Sequence, residues 1–220
     1  MNERFAFDLD LAGRAVVVGA DEAGRGCLAG PLVAAAVAFD YAVLDAADFA
    51  ALEHLNDSKK VPKVRRAALY EEILRRARQV VIVCCSAGTI DRDGLHRCNL
   101  GALARAVEGI APQPGLTLID GFALPGCSRA HRAVVGGDGR SAAIAAASVV
   151  AKVTRDRLML RLHLSHPQYG FDRHVGYATA AHREAIVEHG VCDLHRLSFA
   201  SAAYRHLGPT SAGPVPADGT

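Results

Sequence analysis

Tryptophan is absent from the 220-residue chain, methionine occurs twice, and aromatic residues make up only 5% of it. A core built from this sequence must therefore rely on small and branched aliphatic side chains. No apolar run reaches the 18 or more residues of a membrane span, and no charged-then-apolar leader with a small-residue cleavage site opens the sequence. The expected setting is the cytoplasm, with no membrane contact. A large charge imbalance is missing too: 25 basic and 23 acidic residues leave +2, too little for coating nucleic acid by bulk charge. The six cysteines (Cys27, Cys84, Cys85, Cys98, Cys127, Cys192) show no C-x-x-C spacing and no Cys/His ladder, so reduced thiols are expected, with neither a zinc site nor a disulfide framework. Neither G-x-G-x-x-G nor G-x-x-x-x-G-K-[ST] occurs, which weighs against a nucleotide cradle after the first strand.

What is present is an alternation of short apolar runs and helix-forming segments. Val16 to Ala20 and Leu32 to Phe39 read as two strands of a hairpin around a glycine-punctuated turn, and Val80 to Cys85 as a third strand. Leu116 to Ile119 and Ala133 to Val135 are candidates for strands four and five. Helical composition covers Ala46 to Leu55, Lys63 to Arg78, Gly94 to Ile110, Ser141 to about Leu164, and Ala178 to His189. This order predicts a mixed α/β sheet with helices on its faces. One domain is expected over residues 1–207, with a small helical lobe at about 165–207 and a disordered tail at 208–220 that is poor in large apolar residues.

Chemistry concentrates where strands end. Asp21 and Glu22 directly follow the first strand, and burying two adjacent carboxylates is costly unless a cation or a proton joins them. Both reach one site only if the backbone bends, which the following glycines permit; by itself the pair also fits an acidic hairpin turn. Asp120 ends the fourth strand, and Asp138 stands before the long helix; singly each fits a turn or helix cap. Carboxylates gathered from several strand ends at one sheet edge are the way two hard metal ions about 3.5–4 Å apart are held for phosphoryl chemistry. Two basic clusters, Lys59, Lys60, Lys63, Arg65, Arg66 and Arg155, Arg157, Arg161, fit solvated helix faces as well as binding stripes.

Taken together, Asp21-Glu22-Ala23-Gly24-Arg25-Gly26, Asn56-Asp57-Ser58-Lys59-Lys60, Asp120-Gly121, Gly137-Asp138 leading through Ser141 into Ala145 to Arg157, Tyr169-Gly170-Phe171 with Gly176-Tyr177, and His195-Arg196-Leu197-Ser198-Phe199 resemble the ordered signature of bacterial ribonuclease HII, the type 2 ribonuclease H family. The resemblance spans roughly residues 16–199. It implies a ribonuclease H-like fold: a five-stranded mixed sheet flanked by helices, with a small C-terminal helical region. The implied activity is endonucleolytic hydrolysis of the RNA strand of RNA/DNA hybrids and cutting 5′ to single ribonucleotides in duplex DNA. Asp21, Glu22, Asp120 and Asp138 are then the catalytic, metal-binding carboxylates for Mg2+ or Mn2+, two ions in the active complex. Gly24, Arg25 and Gly26 match the segment that reads the 2′-hydroxyl, Tyr177 matches the junction-reading tyrosine, and Lys59 and Lys60 would contact phosphate. Ser148, Lys152 and Asp156, four apart on one helix, are assigned support rather than ligation.

The chain departs from the family pattern at four places. Gly136 and Arg140 flank Asp138 where lysines are common, Cys27 replaces a proline, and Val175 replaces a basic residue. None removes a carboxylate. His174, His182 and His195 are read either as aids to proton transfer or as structural residues. A monomer is expected, and no segment identifies a protein partner such as a sliding clamp. Two other readings compete: another nuclease on the same sheet, such as a Holliday-junction resolvase or a type 1 ribonuclease H, and a hybrid-binding module without catalysis.

Overall fold

A computed structural model describes residues 2–204; the expected tail at 208–220 lies outside the described residues. In chain order the elements are α1 (Glu3–Ala12), β1 (Val16–Ala23), β2 (Leu32–Asp40), α2 (Ala46–Ala51), α3 (Lys63–Arg76), β3 (Gln79–Cys85), α4 (Ala87–Asp93), α5 (Leu95–Glu108), β4 (Leu116–Asp120), β5 (Arg132–Val134), α6 (Ala142–Ser165), α7 (Phe171–His174) and α8 (Ala180–His189). Short 3-10 turns occupy Gly137–Gly139, Pro167–Tyr169 and Ala202–Tyr204. The described chain divides into two compact units. Among the described residues the first comprises 2–23, 33–84 and 99–154, and the second comprises 24–32, 85–98 and 155–204.

The first unit carries the five-stranded sheet in the order β3-β2-β1-β4-β5. β1 and β2 form the expected antiparallel hairpin, from Val16 opposite Asp40 to Ala23 opposite Val33. β4 runs parallel to β1, and β5 parallel to β4, so the sheet is mixed. Leu32 to Phe39 is buried throughout, the pattern of a strand covered on both faces. The small residues make this cover close. A Cβ on Gly19 would lie 2.0 Å from the Ala143 carbonyl carbon and 2.2 Å from the Ile144 nitrogen, so β1 and the start of α6 approach backbone to backbone. Ala142 to Ala147 are fully buried on this side.

Two helices escape periodicity arguments. α1 was not expected, yet its Asp8 is fully buried, where its Oδ2 accepts from the Tyr41 hydroxyl (2.7 Å) and the Ala143 amide (3.0 Å). That places an acceptor at the N-terminus of α6, where unpaired amides and the helix dipole favour it. α4 is only seven residues long and is preceded by Ser86, whose side chain caps it by accepting from the Thr89 amide. β1 also runs three residues past its expected end, so Asp21 and Glu22 lie within the strand rather than on a bend after it.

In the second unit, two arginines are buried completely. Arg155 donates to the carbonyls of Pro31 (2.9 Å), Val175 (2.9 Å) and Ala29 (3.0 Å). Arg196 donates to Gly30, Gly24 (2.7 Å) and Arg25 (3.1 Å). Five carbonyls between Gly24 and Pro31 are thus satisfied by two guanidiniums. Arg155 is accordingly neither a solvated helix face nor a binding stripe.

Candidate active site

The pairing of β1 with β4 ends at Ala20 opposite Ile119, so Asp21 and Asp120 are the next residues on two adjacent parallel strands. On the other side of β4, Asp120 pairs with Val134 of β5, and the chain then turns through Gly137–Gly139. There the Gly137 amide donates to Asp120 Oδ1 (2.7 Å), which sets Asp138 next to the β4 carboxylate. A Cβ on Gly137 would lie 2.5 Å from Ile144 Cδ1 and 3.2 Å from Asp120 Oδ1, so this turn closes only on glycine. Sheet register therefore brings Asp21, Glu22, Asp120 and Asp138 to one edge.

Their electrostatics follow from burial and crowding. Asp21 is 6% exposed. Burial first, then the charges of Glu22 and Asp120, push its carboxyl well above the usual range, against hydrogen bonds from Ser148 and the Glu22 amide. Burial also raises Asp138, joined by Asp120 and Asp57, while Lys59 acts in the opposite sense. Carboxylates that raise one another in a dry setting form a donor set suited to a hard divalent cation, whose charge reverses the repulsion. Ser148 hydrogen-bonds Asp21, and its Oγ lies 2.9 Å from Ser58 Oγ. Asp57 also faces this edge, where its charge raises Asp138. Its Oδ1 accepts from the Lys59 amide (2.9 Å), and Lys60 Nζ lies 3.9 Å from its Oδ2, with both lysines exposed.

The other assigned residues fall in the second unit and are neighbours there. The Leu28 and Ala29 amides donate to the Gly176 carbonyl (2.9 and 3.3 Å), tying the Gly24-Arg25-Gly26 loop to the Gly176-Tyr177 turn. Gly24, at φ +96°, leaves no room for a Cβ, which would sit 2.1 Å from Arg155 Nε. Gly26 is different: a Cβ there would meet nothing within 4 Å. Arg25 and Gly26 are exposed, and Tyr177 is 40% exposed. Of the three supporting residues, Ser148 is hydrogen-bonded to the assigned carboxylate Asp21.

Beneath the Gly176-Tyr177 turn lie the three histidines. The Cys192 amide donates to His195 Nδ1 (3.0 Å), which leaves the proton on Nε2, facing His182 Nε2 at 3.2 Å. His182 must then carry its proton on Nδ1, and that nitrogen donates to the Tyr177 carbonyl (2.9 Å). His174 stacks on His182 at 4.4 Å; its Nδ1 accepts from the Gly176 amide (3.2 Å) and its Nε2 donates to the Tyr169 carbonyl (2.8 Å). Burial lowers His174 and pushes His182 and His195 down to about 4. These are neutral structural imidazoles rather than proton carriers for the carboxylates.

Fold and carboxylate edge define a nuclease of the ribonuclease H class. The family model described as Ribonuclease HII matches residues 18–202, and the chain belongs to that family. It is 45% identical over 202 residues to Ribonuclease HII of Paraburkholderia xenovorans (strain LB400), covering 92% of this chain and 79% of that one. It is 50% identical over 184 residues to Ribonuclease HII of Rhizobium meliloti (strain 1021), covering 83% and 82%. Among solved structures, the ribonuclease H2 of Pyrococcus horikoshii OT3 superposes with a TM-score of 0.71 at 21% identity, over 84% of this chain and 94% of that one. The RNase HII in the PCNA:RNase HII complex from Archaeoglobus fulgidus gives 0.69 at 26%, over 82% and 93%. A Bst-RNase HIII in complex with Mn2+ shares the fold at 0.64 and 24%, over 87% and 69%. The chain is thus a type 2 ribonuclease H, an endonuclease of RNA/DNA hybrids from a metal-dependent class. Among the described residues no helix is long and apolar enough to cross a membrane.

Proposed function

We propose that the chain cuts 5′ to single ribonucleotides embedded in duplex DNA as well as within RNA/DNA hybrids, leaving 3′-hydroxyl and 5′-phosphate ends, and so serves ribonucleotide removal in replication and repair. The observation that carries this reading is the buried Asp21 carboxylate crowded by Glu22 and Asp120. Asp21, Glu22, Asp120 and Asp138 would hold Mg2+ or Mn2+, two ions in the active complex. Bound divalent ions supply an activated water nucleophile and charge stabilisation for the departing 3′ oxygen. Ser148 holds the Asp21 carboxylate, and the Gly137 amide holds Asp120, so both ligands are oriented before substrate arrives. Lys59 and Lys60 contact phosphate. Gly26 has no steric need to be glycine within the protein, and close approach of a ribose to the backbone supplies one. The Tyr177 ring packs on the deoxyribose that follows the ribonucleotide.

The test is a duplex carrying one ribonucleotide, incubated with Mg2+, with Mn2+, and with chelator, with the cut mapped to the nucleotide. Cutting on the 5′ side that needs the metal is expected. Asp21→Asn and Asp120→Asn should bring cleavage to the detection limit while hybrid binding persists. Cleavage near the wild-type rate by either variant, or a cut 3′ to the ribonucleotide, would overturn the reading.

A further inference from the structure

Zinc sites are sought in sequence as ligands spaced a few residues apart, and this chain has no such run. The second unit nevertheless assembles three ligand atoms from distant positions: an imidazole nitrogen of His166, just after α6, and Cys192 Sγ and the Asp193 carboxylate, after α8, all within 4.8 Å of one another. We propose that His166, Cys192 and Asp193 form a second metal site, selective for a borderline-soft divalent cation of the zinc type and separate from the hard carboxylate site of the first unit.

Four observations support it. The ring of His166 is set for ligation: Ser165 Oγ donates to the Leu162 carbonyl (3.1 Å) and lies 3.0 Å from His166 Nδ1, which takes the role of donor and leaves the Nε2 lone pair open. A fixed outer hydrogen bond on the far nitrogen is the usual companion of a metal-ligating imidazole. Nε2 lies 3.8 Å from Asp193 Oδ1, close to the spacing of two ligands on one tetrahedral ion, and Asp193 is exposed enough to turn inward. Second, the set is one sulfur, one nitrogen and one oxygen, the mixture that zinc accepts and magnesium does not, with a fourth position left for water. Third, the neighbouring His195 does not compete, because its Nδ1, 3.3 Å from Cys192 Sγ, already accepts from the Cys192 amide. Fourth, all three side chains are partly or fully accessible, so an ion can enter.

Binding is a simple exchange. The Cys192 S–H bond breaks, a sulfur–metal bond forms, and one proton leaves to solvent; burial raises the free thiol, so metal uptake rather than spontaneous ionisation produces the thiolate. The consequence is structural. The ion would join the end of α6 to the segment leading into His195 and Arg196, and Arg196 holds the carbonyls of Gly24, Arg25 and Gly30.

The test uses the full chain in excess Mg2+, which fills hard oxygen sites, titrated with Co2+ and separately with Zn2+. One equivalent of Co2+ should bind with a thiolate-to-cobalt absorption band, one proton should be released per ion, and Zn2+ should displace it and raise Tm. Cys192→Ser should lose the band; Asp193→Asn and His166→Gln should weaken binding by at least about tenfold, since even an outer partner of a ligand costs that much. Cys84→Ser and Cys127→Ser should bind as wild type. The inference fails if wild type shows no thiolate band, or if Cys192→Ser keeps it. It fails equally if Asp193→Asn, altered at an exposed position, and His166→Gln both bind with undiminished affinity. None of these outcomes bears on cutting by the carboxylates.

Discussion

At the scale of single residues, Tyr177 separates a sugar-reading role from a packing role. Its ring is neither buried nor free: 40% of the residue is open, and burial raises its hydroxyl. Stacking contacts in nucleic-acid sites are typically worth about 1–3 kcal/mol. If the ring packs on a deoxyribose as proposed, Tyr177→Ala should slow cleavage of a single embedded ribonucleotide by about tenfold or more, and slow a long hybrid less, because uniform RNA offers a 2′-hydroxyl at that position. Tyr177→Phe should keep most of the preference. Paired cleavage rates on the two substrates measure this; equal losses in Tyr177→Ala would make the residue structural and leave sugar reading to Gly24, Arg25 and Gly26. Much of this residue-level chemistry was legible from motifs. The burial of Arg155 was not, because helical spacing identifies which residues share a face and says nothing of what covers that face.

At the scale of elements, the turn carrying Tyr177 depends on imidazoles that must stay neutral. A proton on His182 would set two N–H groups against each other across 3.2 Å, and one on His195 would set its Nδ1 against the Cys192 amide at 3.0 Å. His182 is pushed down to about 4 in the folded chain, against an ordinary value of 6.5, so between those limits the unfolded state binds more protons. Its contribution is present above about pH 6.5 and is lost as pH falls toward 4. Tm should fall as pH drops from 7 to 5, above the ordinary carboxylate range. His182→Ala should be less stable at pH 7.5, by about 1–3 kcal/mol for the lost buried partner, yet lose less on acidification. An unchanged slope in the variant would show that His182 does not titrate with folding.

A second prediction concerns β1 and α6. Gly19→Ala puts a methyl into the Ala143 backbone, which cannot swing aside as a side chain can, and should cost about 3 kcal/mol or more or prevent folding. Gly101→Ala, in α5 with open space around it, should stabilise by about 0.5–1 kcal/mol. Denaturant unfolding of the two variants checks the contrast; a mild Gly19→Ala would mean that the sheet and helix can separate at little cost.

At the scale of the whole molecule, stability and catalysis should oppose each other through the carboxylate edge. Asp21 is a buried charge among like charges, so without metal it destabilises the fold. In chelator at pH 7.5, Asp21→Asn should melt higher than wild type, by on the order of 1 kcal/mol or more, although it should not cut when metal is restored. Mg2+ at about a hundred times its dissociation constant should stabilise wild type by about 2.7 kcal/mol and the variant by much less. Thermal melts with chelator and with Mg2+ decide it; a variant less stable than wild type in chelator would mean that the acids are compensated by the protein.

The sequence by itself determined the strands and the hairpin, because strand-length apolar runs are local signals; the carboxylate set Asp21, Glu22, Asp120 and Asp138 was proposed from the ordered motifs that resemble a family, since singly each fits a turn or cap. It reached the long helix α6 to within a residue at each end. Tertiary structure decided what depends on residues far apart. α1 emerges through Asp8, whose partners Tyr41 and Ala143 lie 33 and 135 residues away. The convergence of Asp21 with Asp120 rests on parallel register, which no local pattern encodes. His166 meets Cys192 and Asp193 only after the chain has passed through α7 and α8. Local propensity and periodicity act over a turn or a strand, whereas pKa values, buried guanidiniums and ligand sets arise from neighbours that folding alone supplies.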